Sequence, residues 1–156
     1  MNIMLLAIGK KHDPKLESAI EDYTKRVSHY TKIQWNLVEA KVTSSMTTDQ
    51  IKKIESDVLM QNIPNSSTVI LLDESGLQLD SPELAQKLQH YMNIATKQLI
   101  FVIGGAYGVD ESVMKRADYI WSLSRLVLPH QLVRLVLTEQ LYRAHTILAG
   151  EKYHHM

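Results

Sequence analysis

Glycines interrupt the chain where backbone groups could meet a ligand. The apolar run Leu99–Ile103 ends in Gly104-Gly105, and Gly108 follows three residues later. A strand that stops at paired glycines leaves backbone N–H groups accessible, because no Cβ blocks a close approach. A second apolar run ends at Trp121 and leads into the loop 122–130. Two such loops after buried strands predict a ligand site at the carboxyl edge of a parallel sheet.

The glycines do not match the common nucleotide-binding motifs. Gly104-Gly105-x-x-Gly108 is not G-x-G-x-x-G, and no G-x-x-x-x-G-K-S/T sequence occurs. Taken alone, such a cluster is more typical of a strand-to-helix turn than of a phosphate site. The chain has no H-E-x-x-H, no G-x-S-x-G, no metal-spaced histidine pair and no cysteine. Hydrolase, kinase and metalloenzyme functions are therefore disfavoured, and we expect no metal.

Charge and length restrict the partners. The chain of 156 residues is expected to form a single domain, 1–156, and its 17 Lys and Arg balance 17 Asp and Glu. No broad basic surface is expected, so RNA could bind only through a small footprint or a site built from more than one subunit. The apolar run Ile3–Ile8 is too short for a membrane span or signal segment. We expect a soluble, cytoplasmic protein without a membrane partner.

Strand and helix patterns alternate along the chain. The predicted strands are Asn2–Ile8, Ile33–Glu39, Thr68–Leu72, Leu99–Ile103 and Tyr119–Ser122. Helical stripes follow Asp13-Pro14, Thr47-Thr48 and Ser81-Pro82, with Asp13 as the expected N-cap of the first helix. This alternation predicts an α/β fold, with a mostly parallel sheet flanked by helices.

The last predicted helix, Gln131 to about Leu148, is apolar over most of its circumference. A helix that covers one sheet needs an apolar stripe over only about 100° of its circumference. The additional apolar surface indicates either a contact with a second copy of the chain or a central helix of the monomer core. Arg134, Glu139 and Arg143 form the polar remainder, and the last two are spaced for an i,i+4 ion pair.

An ordered set of motifs extends over the whole chain. It comprises Leu5-Leu6-Ala7-Ile8-Gly9-Lys10, Glu21-Asp22-Tyr23-x-Lys25-Arg26, Leu71-Leu72-Asp73-x-x-Gly76, Phe101-Val102-Ile103-Gly104-Gly105, Leu128-Pro129-His130, Glu139-Gln140-Leu141-Tyr142-Arg143-Ala144 and Tyr153-His154. In this order and at these separations, the chain resembles the SPOUT (α/β-knot) methyltransferases. Within them it is most similar to the small bacterial enzymes that methylate N3 of a pseudouridine in 23S rRNA.

The resemblance implies a fold with a C-terminal trefoil knot, a homodimer, and S-adenosylmethionine bent into a pocket of three loops. The positions that match the cofactor-binding residues of the family are Leu72, Gly104, Leu123, Ser124, Arg125, Leu126, Val127 and Leu128. Leucines suit the flat apolar slot that adenine needs, and irregular loops leave main-chain groups free to bond it. The implied partner is 23S rRNA within the large subunit or the whole ribosome.

The implied substrate sets a chemical task. N3 of pseudouridine is a poor nucleophile until its proton leaves, so a base or an anion-stabilising group is needed. We expect the tail residues Tyr153 and His154 to fold over the cofactor mouth and provide it, with His130 nearby. Relatives commonly carry Arg or Lys where this chain has His155, which weakens a phosphate anchor there. The RNA contacts would then fall to Arg143, Arg125 and Lys152, with His155 as a further candidate.

Three other functions remain open at this stage. One is a catalytically silent protein that binds the ribosome. Another is a SPOUT methyltransferase that acts on a different RNA position. The third is an α/β enzyme on a small nucleotide-like substrate, against which the lack of a Lys or Ser/Thr after Gly104 argues.

Overall fold

A computed structural model describes residues 1–155; Met156 lies outside the described part. Within that part the strands are β1 (Asn2–Ile8), β2 (Ile33–Val38), β3 (Thr68–Gln78), β4 (Gln98–Ile103) and β5 (Tyr119–Ser122). The helices are α1 (Glu17–Ser28), α2 (Thr48–Gln61), α3 (Ser81–Asn93), α4 (Glu111–Arg116) and α5 (His130–Leu148).

The five strands form one parallel sheet in the order β2-β1-β4-β3-β5. Strand β4 lies in the middle, and its residues from Leu99 to Ile103 are all buried, as expected for a parallel strand covered on both faces. Leu72 pairs with Ile103 and with Trp121. The pairing of β3 with β4 therefore stops at Leu72 and Ile103, level with Trp121 near the end of β5. The parallel sheet with its flanking helices confirms the predicted α/β fold class.

Alternate residues of the strands supply two separate cores. Leu5 and Phe101 point to one face, where they join Leu137 of α5 and buried residues of α1 and α3. Leu6 and Val102 point to the other face, which α2 and α4 cover. This alternation is the period-two geometry of extended strands. Helix α5 packs against both α1 and α3 on the first of these two faces.

The start of α1 differs from the prediction. The helix begins at Glu17 with Leu16 as its N-cap, so the expected cap at Asp13 was wrong. Asp13 instead closes a turn: its carbonyl accepts from the backbone N–H groups of Leu16 and Glu17 at 2.9 Å, and its carboxylate accepts from Lys15 N at 2.8 Å. Aspartate often stabilises such turns in place of a helix.

Two further elements differ from the sequence prediction. Strand β3 continues to Gln78, with a shift in its register against β5 between Leu72 and Leu77. Helix α4 was not predicted, because its six residues are too few to show helical periodicity. Its N-cap is Asp110, whose side chain accepts from Ser112 N and Val113 N.

Helix α5 is central within the chain. Leu137, Leu141 and Ala144 are buried against neighbouring elements of the same chain. Much of the apolar surface of α5 is therefore covered without a second copy. Arg134 is fully buried, and its assignment to a polar face was wrong. The Glu139–Arg143 ion pair is present as expected.

No helix among residues 1–155 is both long and apolar enough to cross a membrane. The single-domain assignment and the trefoil knot stay predictions.

Candidate functional site

A cavity of about 830 Å³ lies at the carboxyl edge of the sheet. Residues 72–74 of β3 and the segments that follow β4 and β5 line it, together with the start of α5. Among its lining residues are seven of the eight predicted cofactor positions: Leu72, Gly104, Leu123, Ser124, Leu126, Val127 and Leu128. Arg125 is exposed and does not line it. Residues far apart in sequence thus meet at the edge where parallel sheets bind ligands.

The loop after β4 depends on its glycines. Gly108 has a φ of 75°, which favours glycine, and its N–H donates to Gly105 O at 3.1 Å. A Cβ on Gly104 would lie 2.8 Å from Cγ1 of Val109. The loop therefore folds tightly on itself, and residues 104–109 all line the cavity.

The loop after β5 is held by its serines. Ser122 Oγ donates to the carbonyl of Ser124 at 2.8 Å, and Ser124 Oγ accepts from Leu126 N at 2.9 Å. This arrangement leaves Leu126 and Val127 73% and 78% exposed beside the cavity. Large apolar side chains held in water next to a pocket are typical of surfaces that a ligand or partner covers.

His130 begins α5 and lines the cavity. Burial, and secondarily the positive charge of Arg134, lower the pKa of its imidazole. The ring is therefore neutral at pH 7 and can accept a proton there.

Arg134 secures the loop after β1 to α5. Its guanidinium donates to Ile8 O at 2.7 Å and to Lys11 O at 3.1 Å, and it lies 3.2 Å from His12 Nδ1. Gly9 has a φ of 134°, and a Cβ there would lie 2.8 Å from Arg134 Nη2. Sequence reasoning missed this contact, because the residue pattern of α5 does not reveal whether Arg134 or Arg143 points into the core.

The C-terminal tail packs along the outer side of α5. The Tyr153 hydroxyl donates to Glu139 Oε1 at 3.1 Å, and the same oxygen accepts from Arg143. Arg143 Nη1 lies 3.3 Å from His154 Nδ1, and the guanidinium stands over the Tyr153 ring at 4.7 Å. Burial and the hydrogen bonds of Tyr153 raise the pKa of its hydroxyl. The tyrosine therefore stays protonated at neutral pH.

The structure does not bring this tail to the cavity of its own chain. Neither Tyr153 nor His154 lines the cavity. Tyr153 contacts Glu139, which follows Val133, the last α5 residue that lines the cavity, by six positions, or about 9 Å along a helix. His154 contacts Arg143, one turn further along α5. Lys152 and His155 are exposed. Two groups of predicted site residues therefore exist in one chain, one at the cavity and one along α5.

No group of three or more His, Cys, Asp or Glu within residues 1–155 is placed to hold a metal ion. The site consists of apolar side chains, main chain and a few titratable groups. Such a surface can bind a bent organic ligand without an inorganic ion.

Comparison with known proteins shows close relatives over the full length. The sequence profile of a family described as "Predicted SPOUT methyltransferase" matches residues 1–154. Ribosomal RNA large subunit methyltransferase H of Christiangramia forsetii is 45% identical over 156 residues, covering 99% of both chains. The protein of the same name from Geobacter metallireducens is 41% identical over 155 residues, again covering 99% of both chains.

Solved structures share the fold at low sequence identity. A probable methyltransferase from Bordetella pertussis superposes with a TM-score of 0.56 at 12% identity, covering 92% of this chain and 96% of the other. A probable methylase family protein from Haemophilus influenzae gives a TM-score of 0.53 at 15% identity, covering 96% and 66%.

Proposed function

The chain belongs to the SPOUT methyltransferase family, and we propose that it transfers a methyl group from S-adenosylmethionine to N3 of a pseudouridine in 23S rRNA. The observation that carries this proposal is the 830 Å³ cavity, which gathers seven of the eight expected cofactor positions. The relatives' name, which specifies RNA of the large ribosomal subunit, supports the substrate class.

The cavity suits the proposed donor. Its volume lies within the range of sites for drug-sized ligands, about 300–1,000 Å³. Leu72, Leu123 and Leu128 would form the apolar slot for adenine, while the loops around Gly104 would bond its edges through main-chain groups. When bound, the sulfonium supplies a methyl group that is already activated. The enzyme then mainly has to place the acceptor nitrogen in line with it.

The acceptor nitrogen must first lose its proton. His130 is suited to receive it, because its imidazole is neutral at pH 7 and borders the cavity. His154 is suited to a different part of the task. Arginine can only donate, so a bond from Arg143 makes His154 Nδ1 the acceptor and leaves the proton on Nε2. That N–H would stabilise the negative charge that develops on the pseudouridine ring when N3 loses its proton.

A complete site would then need a second copy of the chain. Tyr153 and His154 contact Glu139 and Arg143 on α5, and neither lines the cavity of its own chain. The exposed Leu126 and Val127 beside the cavity provide an apolar surface for a partner. In a homodimer the tail of the partner subunit would cover the methyl donor. It would also place the partner's His154 next to the pseudouridine.

The assembled ribosome is the proposed form of the substrate. With 17 cationic and 17 acidic residues, the chain lacks the charge that gives free proteins a general affinity for RNA. A prebuilt ribosomal surface would supply shape and contacts that naked RNA lacks. Arg143, Arg125, Lys152 and His155 are the proposed RNA contacts, and the reaction would take place in the cytoplasm.

Two measurements test the proposal. Purified protein with radiolabelled donor should methylate ribosomes much faster than protein-free 23S rRNA, and equal rates would refute the ribosomal requirement. Mass spectrometry of rRNA from a gene-deletion strain should show one pseudouridine without its N3 methyl group, restored by the cloned gene. A methyl group lost from another nucleotide would reassign the target, and intact methylation would contradict the proposed activity.

A further inference from the structure

Glu55 occupies an unusual position for a carboxylate on a surface helix. It lies on α2 and is only 8% exposed. Its Oε1 atom is buried and has no hydrogen-bond partner within residues 1–155. Burial raises the pKa of the carboxyl. A buried acidic group without a partner is costly in free energy, and such groups cluster at functional sites.

The carboxylate touches the glycine loop of the cavity. A Cβ on Gly105 would lie 2.5 Å from Oε1 and 2.6 Å from Oε2 of Glu55. Gly105 itself lines the cavity. Its φ is not positive, so backbone conformation does not require a glycine there. The close approach of the carboxylate does require a glycine at residue 105, and it places the carboxyl next to a residue that lines the cavity.

Neighbouring charges leave Glu55 without a counter-ion. Lys53, on the same helix, pairs with Asp57 at 2.7 Å and approaches Asp110 at 4.0 Å. No cation forms an ion pair with Glu55 in the described chain. A charge in such a poorly solvated place acts over several ångströms, because little water screens it.

The lining of the cavity has few charged residues. Within residues 1–155 they are the carboxylates Asp73 and Glu74 and the cation Lys52, which precedes Glu55 by three positions on α2. Arg134 is buried on α5 and does not line the cavity. A ligand with a positive centre would gain most by placing that centre toward the buried Glu55 carboxyl, which has no ion-pair partner among the described residues.

We propose that Glu55 is a specificity-determining residue that, through the Gly105 main chain, favours the positively charged sulfonium donor over its neutral thioether product. This inference rests on the proposed function. Donor and product share the adenosine and amino-acid parts and differ at sulfur in one methyl group and one positive charge. A positive charge at sulfur favours the ionised form of the Glu55 carboxyl and is stabilised by it, whereas the neutral thioether gains nothing from that ionisation. The enzyme would then release its product readily, and the product would inhibit it only weakly.

Titration calorimetry with S-adenosylmethionine and S-adenosylhomocysteine tests this inference without any methyl transfer. In Glu55→Gln, the affinity for the donor should fall about tenfold, while that for the product should change less than twofold. Sinefungin carries an amine in place of the sulfonium, so its affinity should fall in Glu55→Gln as that of the donor does. Glu111→Gln, which removes an exposed carboxylate paired with Lys115, is the matched control and should change none of the three affinities.

Gly105→Ala gives a second route if Glu55→Gln does not fold. The added methyl group would force the carboxylate away from the loop, and the ratio of donor to product affinity should again fall. An unchanged ratio in the folded variants would overturn the inference. So would an equal loss for donor and product, which would place the carboxylate next to a group common to both. Wild-type protein that binds neither ligand would instead refute the proposed function.

Discussion

The Tyr153 hydroxyl donates to Glu139 Oε1 at 3.1 Å, which fixes the C-terminal tail to the middle of α5. Arg143 bonds the same carboxylate and reaches His154. One acidic side chain therefore orders both tail residues. Because the tail makes its contacts far from the cavity, changes there should affect catalysis separately from donor binding.

Removal of residues 153–156 should abolish methyl transfer to ribosomes and leave the affinity for S-adenosylmethionine within about twofold of wild type. The reason is that none of the described tail residues lines the cavity. A filter assay with labelled donor measures the transfer, and calorimetry measures the binding. Removal of Met156 alone is the matched control, because it leaves Tyr153, His154 and His155 in place. Full activity in the truncated protein would exclude the tail from the mechanism.

Glu139→Gln should lower the rate of transfer at least about tenfold, because it weakens the charged bond to Arg143 and the bond to Tyr153 together. Donor affinity should not change. Glu111→Gln removes a carboxylate from another i,i+4 pair and serves as control. Loss of donor affinity in Glu139→Gln would contradict the separation of the two groups of site residues.

Leu126→Ala should weaken donor binding about fivefold to tenfold, since burying a leucine under a ligand contributes roughly 1–1.5 kcal/mol when incomplete. The side chain is 73% exposed in the free protein, so the melting temperature should stay the same. Leu77→Ala is the control, because Leu77 is 68% exposed and does not line the cavity. Equal effects of the two substitutions on calorimetric affinity would argue against the proposed donor site.

Arg134→Met should destabilise the protein by about 3 kcal/mol, because it leaves the buried carbonyl of Ile8 without its donor and also removes the bond to Lys11 O. Urea unfolding followed by circular dichroism measures the loss. Lys115→Met, at a position whose side chain is 74% exposed, should leave the midpoint unchanged. A midpoint for Arg134→Met equal to that of wild type would show that the guanidinium does not secure the loop after β1.

The free energy of unfolding should fall as pH falls below about 6.5. Burial lowers the pKa of His145 in the folded protein, so the unfolded chain takes up its proton first. The stability is complete above the unfolded pKa and is lost as pH drops through the folded pKa. Urea unfolding at several pH values from 7.5 to 5 measures this loss.

His145→Phe keeps a ring for the stack on Tyr30, whose centroid lies 5.4 Å away, but it cannot titrate. Its loss of stability between pH 7.5 and 5 should be smaller than that of wild type. Some loss should remain, since burial also lowers the pKa of His12 and His130. Identical losses in the two proteins would exclude His145 as a source of the acid sensitivity.

The sequence was sufficient to place the five strands, but not the extension of β3 to Gln78 or every helix. Long apolar runs such as Leu99–Ile103 predicted the buried strands, because the two-sided burial of a parallel sheet leaves a continuous apolar segment. The short α4 has too few residues to display a period. Asp13-Pro14 has the composition of a helix start, but the same residue types also stabilise turns, and there the turn formed instead.

The site was predictable where it depends on loop chemistry and unpredictable where it depends on three-dimensional contacts. Glycines after β4 and leucines after β5 are visible in the sequence, and both segments line the cavity. Glu55 and Arg134 look like ordinary polar residues on helices, and only the packed structure shows that both are buried. The position of Tyr153 along α5 likewise depends on the direction in which the chain turns after Gly150, which has a φ of 70°.

The placement of the tail outside its own cavity has a consequence for mass action. In the proposed homodimer each chain would contribute one half of two sites, so activity would require an encounter between chains. Specific activity should therefore decline on dilution below the dissociation constant of the pair. Mixtures of a tail-deleted chain and a donor-binding-defective chain should regain part of the activity that each lacks alone.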